Sequence, residues 1–128
     1  MNVGCATPQR EVYGKFSKQV VHLTNGDSVQ LQARVAAVGQ GPSPGIMFVF
    51  YPFQDLSDTH RLRRTAVALF LYVRPELDSA PPPFVVLRAV DLPAERRVGF
   101  YKIHNHGFVV ERRGDGVWYL LGESQPIR

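Results

Sequence analysis

A chain of 128 residues is long enough for one domain with its own core and too short for two. Hydrophobic residues make up 45% and charged residues 20%, which excludes an intrinsically disordered chain, and no apolar run approaches the ~18 residues that a membrane helix requires. Basic residues outnumber acidic ones by 15 to 11, a formal charge of +4 that favours anionic partners over cationic ones.

Residues 1–10 read as a loose lead-in closed by Pro8. Met1–Pro8 lacks a basic start followed by an apolar stretch, so no secretory signal is expected and the predicted location is cytoplasmic. The single cysteine, Cys5, excludes an internal disulfide framework and fits a reducing compartment. Glu11–Phe16 and Gln19–Thr24 read as short strand pieces. Asn25-Gly26 is a strong hairpin signal, because both residues tolerate positive φ. After it Ser28–Val35 alternates: Val29, Leu31, Ala33 and Val35 are expected on one face, with Gln30, Gln32 and Arg34 on the other.

The loop composition of Gly39–Gly45 separates this strand from Ile46–Phe53. In that next strand Phe48 and Phe50 face one way, Val49 and Tyr51 the other. Gln54–Arg64 is polar, with Ser57 or Asp58 as a helix N-cap. The apolar run Thr65–Val73 cannot be assigned by periodicity alone. We take it as a buried strand over Thr65–Arg74, preceded by one helical turn, with a helix over 58–73 as the alternative. Glu76–Pro83, with its triple proline, is expected to be a stiff exposed loop, and Phe84–Val90 another strand.

The last third carries the densest signals. Val98–Ile103, Phe108–Arg113 and Val117–Leu121 are rich in β-branched and aromatic residues. Asp115-Gly116 predicts that the last two pair as a hairpin. Between the first two lies His104-Asn105-His106-Gly107, either a turn or a strand that runs straight through. Residues 123–128 form a polar tail expected to fray. Together these elements predict a single mainly β domain: an antiparallel sandwich or barrel of about seven to nine short strands, with one short helix near 55–64. An α+β fold with the helix at 58–73 is the alternative.

Three groups of residues offer chemistry. On a continuous strand, His104 and His106 share one side at a spacing that suits one divalent metal ion, with Glu111 downstream. Gly99, His104, His106, Glu111 and Gly114 or Gly116 resemble the first motif of the cupins, which implies a metal-dependent enzyme on a β-barrel. The second cupin motif has no counterpart, since no histidine follows Glu111. His106–Val110 with Asp115-Gly116 and Tyr119–Leu121 is similar to the strand pair that carries the base histidine of papain-like cysteine hydrolases. That likeness implies Cys5 as nucleophile, yet Cys5 is followed by Ala-Thr-Pro rather than by a helical stripe.

The third group is basic: Arg61, Arg63 and Arg64 in one cluster, Arg96 with Arg97, and Arg112 with Arg113. If the strand ends converge, these guanidinium groups form one patch beside aromatic residues, as a nucleic-acid surface needs. Acids interrupt each cluster, namely Asp55 and Asp58, Glu95, and Glu111. The function this balance favours is a non-enzymatic binding module whose partner is another protein, met through a basic surface. A nucleic-acid-binding β domain is the alternative, and a cupin-like enzyme using a divalent metal the third reading.

Overall fold

The computed structural model describes residues 11–12, 19–39, 44–91 and 104–127. Both glycine turns form where the sequence predicts, and they share one geometry. At the first, the Leu23 N–H donates to the Asp27 carbonyl (2.8 Å) and the Gly26 N–H to the Leu23 carbonyl (3.0 Å). The Asp27 N–H closes the turn on Asn25 Oδ1 at 3.1 Å. At the second, Arg113 donates to Val117 (3.1 Å) and Gly116 to Arg113 (2.8 Å), and the Val117 N–H reaches Asp115 Oδ1 at 2.9 Å. Each is a three-residue loop whose last position must be left-handed. Gly26 sits there at φ 92° and Gly116 at φ 78°, values a side chain would strain.

These turns join β2 (Gln19–His22) to β3 (Ser28–Val38) and β6 (Asn105–Arg112) to β7 (Trp118–Leu120), both antiparallel. With β1 (Glu11–Val12), β4 (Gly45–Pro52) and β5 (Phe84–Val90) they make one sheet in the order β1-β3-β4-β5-β6-β7, and β2 also pairs with β3. The alternation predicted for β3 holds at Val29 and Leu31, which are fully buried. The β3–β4 ladder then shifts register between Leu31 and Ala33.

The main correction concerns the run after Gln54. It is a helix, α1, spanning Thr59–Asp78, not a strand over Thr65–Arg74 and not a single turn near 55–64. Asp58 is the N-cap, its side chain accepting from the Arg61 N–H at 3.1 Å. Leu62, Ala66, Leu69, Phe70, Val73 and Leu77 return every three or four residues and are all buried. Ala, Leu and Arg dominate its sequence and favour helix. Pro75 does not stop it. Exposed in the final turn, it removes one hydrogen bond, to the carbonyl of Leu71. The helix therefore takes up 76–78 from the predicted loop, and Pro82, central in the triple proline, is buried.

The helix also decides the sheet. β4 and β5 are parallel, with Phe48 opposite Leu87 and Phe50 opposite Ala89. Parallel neighbours need a crossover of a dozen or more residues, and α1 supplies it. The sheet is thus mixed rather than antiparallel, and it neither closes into a barrel nor pairs with a second sheet among the described residues. β4 lies in its interior between β3 and β5. Val29, Leu31, Phe48, Phe50, Val85 and Leu87 are wholly inaccessible and belong to one core cluster with the buried stripe of α1. The Phe70 ring meets Trp118 edge-on at 5.2 Å between centroids.

The polar tail expected at 123–128 is docked over 123–127. The Ile127 N–H donates to the Trp118 carbonyl (2.8 Å), Pro126 bridges to Tyr119, and Ile127 is buried. Trp118→Ala should lower the unfolding free energy by about 3–5 kcal/mol, the cost of emptying a filled aromatic site. Phe108→Ala, at a partly buried ring, should cost less. Urea denaturation of both variants measures the order.

Candidate functional site

The predicted basic residues divide into those held by acids and those left open. Arg61 pairs with Asp27 at 2.8 Å. Arg63 grips Glu123 with two nitrogens, the Nε at 3.0 Å. Arg113 reaches Glu111 at 3.0 Å, donates to the Glu123 carbonyl at 2.5 Å and lies 3.9 Å over the Tyr119 ring. These three clamp the N-terminal part of α1 and the β6–β7 hairpin in place. Arg64 and Arg112 are exposed, and neither has an ion-pair partner among the described residues. Arg96 and Arg97, with Gly99 and Cys5, lie outside the described residues.

Asp27 organises the contact between the first hairpin and the helix. Its Oδ1 takes Arg61, and its Oδ2 takes Asn25 Nδ2 (3.1 Å) and Thr65 Oγ1 (2.8 Å). Thr65 is fully buried and also lies 3.0 Å from the Arg61 carbonyl. Its single proton goes to the carboxylate, the stronger acceptor, while Gln54 Nε2 donates to the same hydroxyl at 2.8 Å. The hydrogen bond from Arg61, then that from Thr65, holds the Asp27 carboxyl below its usual range.

Where this hairpin meets the helix, Thr24, Asn25, Arg63 and Arg64 surround a groove of about 240 Å³ floored by Val67, Ala68 and Leu71. At its other end β2 touches the same helix, Gln19 Nε2 donating to Tyr72 Oη at 3.3 Å. Among the described residues β2 pairs only with β3. Its outward Val20 is half exposed, and so is His22.

Each of the three residues predicted to hold a metal has another partner. β6 begins at Asn105, so Asn105, His106 and Gly107 are strand residues rather than a turn, while the strand predicted over Val98–Ile103 lies outside the described residues. His106 stacks on Phe108, ring centroids 4.7 Å apart. Glu111 is taken by Arg113. His104 pairs with Asp91, and no group of three or more metal-ligating side chains occurs among the described residues.

The His104–Asp91 pair is the site that sequence reasoning missed. Val90 pairs with Asn105 in the β5–β6 ladder, so the next residue on β5 and the preceding one on β6 face each other just past its end. The Asp91 N–H donates to the His104 carbonyl at 3.1 Å. Both oxygens of Asp91 then return to His104: Oδ1 accepts its backbone N–H at 3.3 Å, and Oδ2 lies 2.9 Å from ring Nδ1. Because β4 runs parallel to β5, its end lies at the same end of the sheet. The β4–α1 loop therefore completes a cleft of about 480 Å³ lined by Gln54, Asp55, Leu56, Ser57, Asp91 and His104. Asp55 is held ionised by the backbone N–H of Ser57, which donates to its Oδ1 at 2.9 Å and pulls its carboxyl below the usual range. Only the pairing of distant strands joins residues 54–57, 91 and 104, so no sequence motif could have named them.

No family model, curated protein or solved structure matches this chain.

The lowered carboxyl of Asp27 gives a pH prediction. A carboxylate depressed in the folded state contributes stability that is complete above its unfolded value of about 3.9 and is lost as pH falls through the lower folded value. Asp27→Asn should therefore be less stable than the parent at about pH 7, with the gap narrowing below about pH 4. Urea midpoints measured across that range test it.

Proposed function

We propose that this protein is a binding module that takes an extended acidic segment of another protein along β2, beside α1. The observation that carries this reading is the groove of Val67, Ala68 and Leu71 with the exposed guanidinium of Arg64 at its rim. A strand edge next to a helix suits an extended peptide. Main-chain hydrogen bonds to the edge supply affinity, and alternate side chains enter the groove. The apolar floor selects aliphatic side chains, and Arg64 with the net charge of +4 selects acidic ones.

Nucleic acid is the weaker occupant. Among the described residues Arg61, Arg63 and Arg113 spend their charge on Asp27, Glu123 and Glu111, which removes three of the predicted guanidinium groups from phosphate binding. The divalent-metal reading on His104, His106 and Glu111 loses its support with the separate partners of those three side chains.

The reading predicts that a short fluorescent peptide alternating Glu and Leu binds, and that its Lys and Leu counterpart does not. Leu71→Glu and Arg64→Glu should each weaken binding by about tenfold or more, at least ~1.4 kcal/mol. Fluorescence anisotropy measures both. Equal binding of the two peptides would sink the proposal, as would tighter, steeply salt-dependent binding of a DNA duplex.

A further inference from the structure

We infer that the cleft at the carboxyl ends of β4 and β5 is a hydrolytic site for small neutral or cationic esters, with His104 as general base and Asp91 as its positioning residue. It is separate from the β2–α1 groove and does not depend on what that groove binds. A carboxylate only accepts hydrogen bonds, so in the neutral ring the contact of Asp91 Oδ2 with Nδ1 selects the tautomer with its proton on Nδ1. Nε2 then keeps its lone pair and has no partner among the described residues. The second carboxylate oxygen holds the His104 backbone, so one residue fixes the tautomer, the ring direction and the chain position. This is the arrangement of base and orienting acid that activates a nucleophile in hydrolases on unrelated folds.

Accessibility agrees with such a role. The His104 side chain is 62% exposed while that of Asp91 is 19% exposed, so the base is open and its support is covered. The site also lies beyond the carboxyl ends of parallel strands, where open sheets with helical crossovers bind ligands. Its charge defines the ligand. The ionised Asp55 lines the cleft and Leu56 gives it an apolar wall, so a substrate bearing its own carboxylate is repelled and a small neutral or cationic acyl group is accepted.

In the step itself, Nε2 takes a proton from a water molecule as the water oxygen bonds to the acyl carbon. The tetrahedral intermediate collapses with cleavage of the bond to the leaving oxygen, and the imidazolium returns the proton to that oxygen. The products are a carboxylic acid and an alcohol, and no further reactant is needed.

The test uses the full chain with p-nitrophenyl acetate and, for charge selection, the mono-p-nitrophenyl ester of succinic acid. The parent should hydrolyse the acetate at least about tenfold faster than His104→Gln and should discriminate against the anionic succinate. His60→Gln, on the exposed face of α1, should match the parent. Nitrogen-15 NMR of the histidine rings should find His104 as the Nδ1–H tautomer, and Asp91→Asn should lower turnover and populate the other tautomer. Equal acetate turnover by the parent and His104→Gln would overturn the inference. So would an Nε2–H tautomer in the parent, or an Asp91→Asn variant unchanged in both readouts.

Discussion

The parallel pairing of β4 with β5 is the constraint on which the rest of the molecule depends. Two parallel neighbours cannot be joined by a tight turn, so the chain between them must travel back along the sheet. It does so as α1, whose buried stripe of Leu62, Leu69, Phe70 and Val73 packs with Phe48, Phe50, Leu87 and Trp118 in one cluster. Both candidate sites follow from that crossover. It brings the helix against the turn of the first hairpin, which makes the groove, and it puts the ends of β4 and β5 at one end of the sheet, which makes the cleft.

Electrostatics then distribute the basic residues between structure and surface. Partly exposed ion pairs contribute little stability one at a time. Here they do more as positional ties: Arg61 joins α1 to the first hairpin through Asp27, and Arg63 joins it to the C-terminal segment through Glu123. The acids that interrupt each basic cluster in the sequence are in part the partners of these arginines. Arg113 finds Glu111 two residues away, whereas Arg61 and Arg63 find theirs only through the fold. Among the described residues of the predicted clusters, Arg64 and Arg112 are the ones left exposed without an acidic partner.

Much of the strand pattern was legible in the residues. The two glycine turns, the sides taken by Phe48 and Phe50, the bounds of β5 and the pairing of β6 with β7 all follow from local periodicity and turn chemistry. The run around Thr65–Val73 was not legible, because nine consecutive apolar or small residues satisfy a buried strand and a buried helix equally well. Pro75 reinforced the wrong choice by looking like a stop, although the helix continues past it to Asp78 and forgoes one hydrogen bond there.

By itself, then, the sequence determined a mainly β class with its hairpins in register, because turn geometry and side-chain alternation act over a few residues. The tertiary structure alone decided that the sheet is mixed and open, that a helix covers it, and that His104 faces Asp91 rather than His106 and Glu111. Those outcomes depend on which distant segments share a ladder. A residue's partner across a ladder is set by the register of whole strands, and nothing in its own neighbourhood along the chain encodes it.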